Sequence, residues 1–133
     1  MNRRLLATSA LAATAATALI PAAAAAASMS HSENIVFTAD DPGHWAGVED
    51  LHIPVTTVAD GTLTVKTPHP MSEKHYIVSH TIVLSSGKFL DRKTFTPTDE
   101  PLSTHALPAG YTGKVTITST CNLHDFWVKT ITV

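Results

Sequence analysis

Short runs of strand-forming residues, separated by turn signals, restrict the fold of this chain more than any other feature. Each run is rich in valine, isoleucine, threonine or aromatic residues. Turn-forming pairs and triplets such as Asp60-Gly61 and Pro108-Ala109-Gly110 separate the runs. No segment repeats apolar residues at helical spacing over a useful length. The runs cover residues 35–39, 53–58, 62–66, 76–84, 89–95, 115–120 and 126–133.

Two of these runs alternate apolar and polar residues, which is typical of a strand with one buried face. Leu63 and Val65 alternate with polar neighbours, and so do Val115 and Ile117. About a hundred residues in about seven antiparallel strands predict an all-β, immunoglobulin-like β-sandwich. The same period of two, continued to the end of its strand, places Cys121 on the inward face.

The first 27 residues have the pattern of a targeting segment. Arg3 and Arg4 precede an apolar run over residues 5–20, and an Ala-x-Ala cleavage site ends at Ala27. We expect an export signal over residues 1–27, similar to a twin-arginine signal, and a mature domain over residues 28–133 in the periplasm or outside the cell. An ordinary secretion signal and a retained membrane anchor are the alternatives. After cleavage we expect no stable membrane association.

The mature segment is mildly acidic and rich in histidine. Residues 28–133 hold 7 Lys and Arg against 11 Asp and Glu, and this balance argues against binding to nucleic acid, which needs basic residues to neutralise phosphates. The single cysteine excludes an intramolecular disulfide and a four-cysteine metal site. All 8 histidines lie in the mature segment. Such a density is typical of metal-binding sequences.

Two short segments carry most of the metal-binding signal. Cys121 and His124 are three residues apart at a strand end, so one turn can bring a thiolate and an imidazole to one ion. His69 and His75 flank a short proline-containing loop that can bring both rings together, and His52 lies at the start of another strand. Each feature alone also has an ordinary explanation, because buried cysteines often act as small apolar side chains and many histidines are structural or exposed.

Together these segments resemble the superoxide reductase family, the iron-binding domain of neelaredoxin and desulfoferrodoxin. The run HPMSEKHYI at residues 69–77, the run CNLH at residues 121–124 with Trp127 after it, and the run LHIPV at residues 51–55 look like the family's signature segments. Their order and approximate spacing also fit. The resemblance covers residues 44–133 and implies the single-iron class, since a single cysteine cannot form a four-cysteine rubredoxin-like centre.

The resemblance implies a mononuclear non-haem iron (Fe) with four equatorial histidines, one axial thiolate and an open sixth position. Carried over by motif, the equatorial ligands are His52, His69, His75 and His124, and the axial ligand is Cys121. Such a centre reduces superoxide to hydrogen peroxide with electrons from an external donor, a rubredoxin-like or other small redox protein. A thiolate opposite the open position donates electron density and favours the ferric product. Family domains can also form homo-oligomers.

The chain departs from the family pattern next to the open position. Where the family commonly has Glu-Lys-His, this chain has Asp50-Leu51-His52, so the lysine that helps to attract superoxide is missing. For the sixth position of ferric iron, the candidates are Asp50, Glu49 or no protein ligand. We expect Lys74 to be a substitute source of positive potential.

Other positions near the motifs are open to more than one interpretation. The glycine that usually follows the CNxH histidine is Asp125 here, and its carboxylate either accepts the outer N–H of His124 or faces solvent, which we expect. His44 is the spare candidate for the first ligand position. His80 and His105 are expected to be ordinary strand and loop residues.

Two other classes of function compete with the enzyme. A non-catalytic exported metal-binding module is compatible with the missing lysine. A cupredoxin-like electron carrier is also a small exported sandwich with histidine and cysteine ligands. It is disfavoured because no methionine follows Cys121 to act as a weak axial ligand, and because the loop over residues 69–75 would have no role.

Overall fold

Two β-sheets face each other in the described part of the chain. A computed structural model describes residues 34–133, so the export signal expected over residues 1–27 lies outside the described residues. The five-stranded sheet has the strand order β1-β8-β7-β4-β5, and the three-stranded sheet has the order β2-β3-β6. The elements are β1 (Val36–Phe37), a 3-10 helix (Gly43–Trp45), α1 (Glu49–His52), β2 (Val55–Ala59), β3 (Thr62–Lys66), β4 (Ile77–Leu84), β5 (Phe89–Thr94), β6 (Leu102–Ala106), β7 (Lys114–Cys121) and β8 (Phe126–Thr132).

The predicted all-β sandwich is confirmed, with two differences in the strands. The expectation of about seven antiparallel strands omits β6, and β1 pairs in parallel with β8, with Val36 opposite Phe126. The other pairs of neighbouring strands are antiparallel. Within residues 34–133, no helix has the length and apolar character needed to cross a membrane.

Strand β6 escapes sequence prediction because its alternation is inverted. Ser103 and His105 point inward and are 6% and 2% exposed, whereas Leu102 is 40% exposed. An amphipathic strand normally has the opposite arrangement. Its pairing partner is β3, where Leu63 lies opposite His105. His105 is therefore a buried strand residue, and the expectation of a loop residue is wrong.

The main apolar cluster lies between the sheets. Leu63 and Val65 of β3 pack against residues from β4 and β7 of the other sheet, and the predicted inward faces of β3 and β7 are confirmed: the cluster is Leu63, Val65, Ile82, Leu84, Val115 and Ile117. Removing these side chains from water is the main favourable term in folding such a domain. A second, smaller cluster contains Ile77, Phe95 and Cys121, with Met71 packed against it. Cys121 is 3% exposed, so its inward orientation is also confirmed.

A layer of polar side chains separates the two apolar clusters. The hydroxyl of Thr67 lies 2.8 Å from Nε2 of His80 and 2.8 Å from the hydroxyl of Ser119. Nδ1 of His80 lies 2.7 Å from the hydroxyl of Ser103. All four residues are buried, and His80 has no exposed surface. The layer is stable because its buried polar atoms find partners in one another.

The buried imidazole of His80 predicts a loss of stability in acid. Burial, and to a lesser extent nearby His105, lowers the pKa of His80 from 6.5 to about 4. The unfolded chain therefore binds a proton that the folded protein excludes as the pH falls from 6.5 towards 4. Neutral, buried His80 therefore contributes about 3 kcal/mol to the free energy of unfolding. This contribution is fully present above pH 6.5 and is lost as the pH falls to about 4. The free energy of unfolding, measured with denaturant, should fall more steeply with acidification for the wild type than for His80→Gln. Parallel pH profiles of the two proteins would contradict this prediction.

Candidate metal centre

Five side chains from separate segments converge at one end of the sandwich. Their ligand atoms all lie within 4.8 Å of one another. One residue ends α1, one follows β3, one precedes β4, one ends β7 and one lies between β7 and β8. The structure therefore brings together the five residues expected from the motifs: His52, His69, His75, Cys121 and His124.

The four imidazoles each direct one nitrogen atom to a common centre. Nε2 of His75 lies 3.1 Å from Nε2 of His69 and 3.2 Å from Nδ1 of His124. Nδ1 of His124 lies 2.8 Å from Nε2 of His52. A square with sides of about 3 Å has a half-diagonal of about 2.1 Å, a usual distance between a metal ion and an imidazole nitrogen. The four nitrogens therefore fit around one ion.

The thiol of Cys121 completes the group from the core side. Its Sγ lies 4.0 Å from Nε2 of His69, and the side chain packs with Ile77 and Phe95. Burial raises the pKa of this thiol, so its thiolate form requires a cation nearby. Four imidazoles and one sulfur suit iron, copper or zinc, whereas calcium and magnesium prefer oxygen ligands.

Burial keeps several of the imidazoles in the neutral form that binds metal. It lowers the pKa of His69 to about 4, with His52 and His75 adding to the effect. The pKa values of His52 and His124 are also lowered, again mainly by burial. Nδ1 of His52 donates to the carbonyl of Val48 at 2.8 Å, which leaves the lone pair of Nε2 directed at the centre.

Trp127 contacts two of these histidines and fixes their positions. The ring of His52 stacks on it, with centroids 5.2 Å apart and planes 25° apart. Its indole N–H donates to the carbonyl of His124 at 2.8 Å. Trp127 has no exposed surface, so a fully packed side chain fixes both the ring plane of one histidine and the backbone of the other.

Asn122 connects the segment around His75 to the segment around Cys121, a role that the sequence pattern does not predict. Its Oδ1 accepts from the N–H of Tyr76 at 3.0 Å, and its Nδ2 donates to the carbonyl of Lys74 at 3.1 Å. Both neighbours of His75 are thereby bound to the residue that follows Cys121. A local pattern cannot indicate this role because the bonded residues are distant in the sequence.

Asp125 has a backbone conformation that favours glycine. Its φ of 62° lies in the left-handed region, which glycine adopts freely and aspartate tolerates. Its Oδ2 accepts from Nε1 of Trp45 at 3.0 Å, and the ring of Trp45 lies 4.4 Å from that of His124. The expectation that this carboxylate simply faces solvent is therefore wrong.

His44 lies near the group but is not a member of it. Its Nε2 is 4.0 Å from Oδ2 of Asp125. Its ring packs edge-on against Phe37, with centroids 5.1 Å apart. The first ligand position in the structure is therefore filled by His52.

The acidic and basic candidates lie around the group rather than within it. The carboxylate of Glu49 accepts from the N–H of Gly47. Hydrogen bonds from the backbone N–H groups of Glu49 itself and of Gly47 lower the pKa of this carboxyl group. Asp50 and Lys74 are exposed and outside the group, and Leu51 is 45% exposed. Roles for Asp50 and Lys74 remain predictions.

Fold and site together define a small all-β protein with a candidate centre for one metal ion. Residues 46–130 match the family described as Desulfoferrodoxin. Because this match spans more than half of the chain, the protein belongs to the desulfoferrodoxin family. No curated protein sequence gives a significant match.

Several solved structures share the fold. A variant of superoxide reductase (neelaredoxin) from Ignicoccus hospitalis is 22% identical, with a TM-score of 0.69 over 79% of this chain and 98% of that chain. Superoxide reductase (1Fe-SOR) from Giardia intestinalis is 20% identical, with a TM-score of 0.56 over 63% of this chain and 99% of that chain. The superoxide reductase from Treponema pallidum is 29% identical, with a TM-score of 0.51 over 60% of this chain and 66% of that chain.

Proposed function

We propose that the protein reduces superoxide to hydrogen peroxide at a mononuclear iron centre. The observation that carries this proposal is the convergence of four imidazoles and one thiol within 4.8 Å in a chain of the desulfoferrodoxin family. The names of the structures that share its fold support it. The ligands are His52, His69, His75, His124 and Cys121.

Each turnover adds one electron and two protons to superoxide. Iron bound at this centre supplies the one-electron couple. Cys121 contributes a thiolate from the buried side, and its negative charge favours the oxidised state of the centre. His75 and His124 are partly exposed whereas Cys121 is 3% exposed, so an anion from solvent approaches on the histidine side.

The electron donor is an external protein, a rubredoxin-like or other small redox protein. A rubredoxin-like centre needs four cysteines, and this chain has one. A homo-oligomer is compatible with this function. The partly exposed face of the site is where we expect the donor to dock.

A non-catalytic metal-binding or electron-carrier module is the alternative function. It is favoured by Leu51, an exposed apolar residue at the position where a lysine was expected. Metal analysis and visible spectroscopy on protein from its natural host distinguish the two. One iron per chain with a thiolate-to-iron band supports the reductase, whereas zinc or an intense blue copper band overturns it.

Cys121→Ser tests the axial ligand. The variant should keep the fold and lose both the thiolate-to-iron band and superoxide reduction, because an oxygen ligand donates far less charge to iron than a thiolate. His44→Ala is the matched control, since His44 is near the centre but outside the ligand group, and it should keep the band. Pulse radiolysis measures the rate, and an active Cys121→Ser variant would refute the assignment.

Leu51→Lys tests whether the missing charge limits the rate. A lysine there should raise the second-order rate with superoxide several-fold at low salt, because a positive charge near the entrance attracts the anion. The gain should vanish at high salt, where the Debye length is about 3 Å at 1 M. Leu51→Gln controls for the lost apolar side chain. Equal rates and salt slopes in all three proteins would show that charge at this position is not limiting.

We further propose that the protein is exported to the periplasm or outside the cell by the segment over residues 1–27. The arginine pair and the Ala-x-Ala site support this location. Folded export also allows iron to be loaded before the chain meets competing copper or zinc. Ser28 should be the N-terminal residue of the exported protein. N-terminal sequencing that finds Met1 instead would contradict cleavage.

A further inference from the structure

A continuous chain of six polar side chains crosses the sandwich from its surface to the strand ends that carry the metal ligands. The outermost residue is Asp91 on β5, whose side chain is 54% exposed. Its carboxylate Oδ2 lies 2.8 Å from Nδ1 of His105. Nε2 of His105 lies 2.8 Å from the hydroxyl of Ser103, which also contacts Nδ1 of His80 at 2.7 Å. The chain then continues through Thr67 to Ser119.

The chemistry of its groups gives this chain one direction. His105 and an adjacent backbone N–H lower the pKa of Asp91, whose carboxylate accepts the Nδ1 proton of His105. In the neutral ring, Nε2 then accepts from Ser103, whose oxygen accepts in turn from Nδ1 of His80. Nε2 of neutral His80 accepts from Thr67. Each donor therefore points towards Asp91.

The remaining hydroxyl is fixed by the same reasoning. Because the proton of Thr67 is committed to His80, its oxygen accepts from Ser119. Both hydroxyls consequently have defined orientations although neither belongs to the metal group. The direction of the whole chain depends on the ionised carboxylate of Asp91 at its outer end.

Asp91, His105 and Ser103 have the connectivity of a hydrolytic triad but are not placed to act as one. Ser103 is 6% exposed, and in addition to donating to His105 its hydroxyl accepts a hydrogen bond from His80. A nucleophile needs access to its substrate, and this hydroxyl lies between two sheets. The chain therefore requires a different role.

The inner end of the chain lies directly behind two of the proposed ligands. Thr67 is two residues before His69, and its carbonyl accepts from the N–H of His69 at 2.8 Å. Ser119 is two residues before Cys121 on β7. The 2.8 Å contact between Thr67 and Ser119 thus joins the segment after β3, in one sheet, to the end of β7, in the other.

We propose that this hydrogen-bond chain is a positioning device for the metal centre, with Thr67 as its key residue. It holds the strand ends carrying His69 and Cys121 at a fixed separation, and Asp91 fixes its direction from the surface. The proposal rests on the proposed iron site. Directional hydrogen bonds suit this task because apolar contacts allow small sliding movements, whereas ligand atoms must be held within a fraction of an ångström.

Substitutions at Thr67 test the device directly. Thr67→Val keeps the shape of the side chain but removes the hydroxyl, so iron should be released to a chelator at least about tenfold faster, as is typical when a supporting partner is lost. Thr67→Ser retains the hydroxyl and should restore slow release. Val65→Ala, at a fully buried position of β3 two residues before Thr67, is the matched control for general destabilisation. It should lower the unfolding midpoint without faster release.

Asp91→Asn tests the direction from the far end and avoids substitution of a buried residue. An amide can donate or accept, so the chain loses its fixed direction, and the iron-release rate should fall between those of the wild type and Thr67→Val. Asp60→Asn, in the turn between β2 and β3, is the control because asparagine also tolerates its φ of 49°. It should release iron as slowly as the wild type.

The outcomes separate this proposal from the proposed function. A wild-type protein that binds no iron overturns the proposed function and with it the device. If the wild type holds iron, equal release from the wild type, Thr67→Val and Asp91→Asn overturns only the device. Faster release from Val65→Ala than from Thr67→Val, or no rescue in Thr67→Ser, also overturns it. The visible band of each loaded variant provides a readout independent of turnover.

Discussion

The convergence of four imidazole nitrogens on one point is the constraint on which the rest of this structure depends. Neighbouring nitrogens lie 2.8 to 3.2 Å apart, and lone pairs at such distances repel unless a cation or protons lie between them. Protonation is opposed by burial, which lowers the pKa of His69 to about 4. A proton can join only two of these nitrogens, whereas one metal ion can accept the lone pairs of all four and of the Cys121 sulfur, so a metal ion is the partner that suits this arrangement. Because the ligands come from separate segments, its binding energy also stabilises the fold.

The interior is consequently built in layers with different tasks. Apolar residues such as Val65 and Ile117 hold the two sheets together at one level. Two residues further along the chain from each of these lie Thr67, just after the end of β3, and Ser119 of β7, which are polar and bonded to each other. One step further lie the ligand positions. A buried polar layer is costly unless every group is paired, and its position directly behind the ligands gives a physical reason for retaining it.

Local sequence predicts those parts of this structure that depend on local pattern. Leu63 and Val115 mark their strands by alternation, and the motifs around His75 and His124 are short enough to be recognised in the sequence. The sequence pattern does not predict strand β6, because Ser103 faces inward and Leu102 outward. This arrangement is possible because partners on other strands satisfy the buried polar groups.

A long-range contact also explains why the sequence does not predict the orientation of the Asp125 carboxylate. The carboxylate of Asp125 bonds to the indole N–H of Trp45, a residue 80 positions away, and no spacing rule relates the two.

The same contact bears on how an anion reaches the centre. Hydrogen bonds from Trp45 to Asp125 and from Gly47 to Glu49 partly compensate two negative charges near the ligands. Metal-bound imidazoles carry no charge and one thiolate carries one negative charge, so a ferrous ion held by these five residues would keep a net positive charge that attracts superoxide. A lysine introduced at position 51 would therefore add to an attraction that the loaded centre itself supplies, whereas loss of the Cys121 thiolate would change the electron-transfer step.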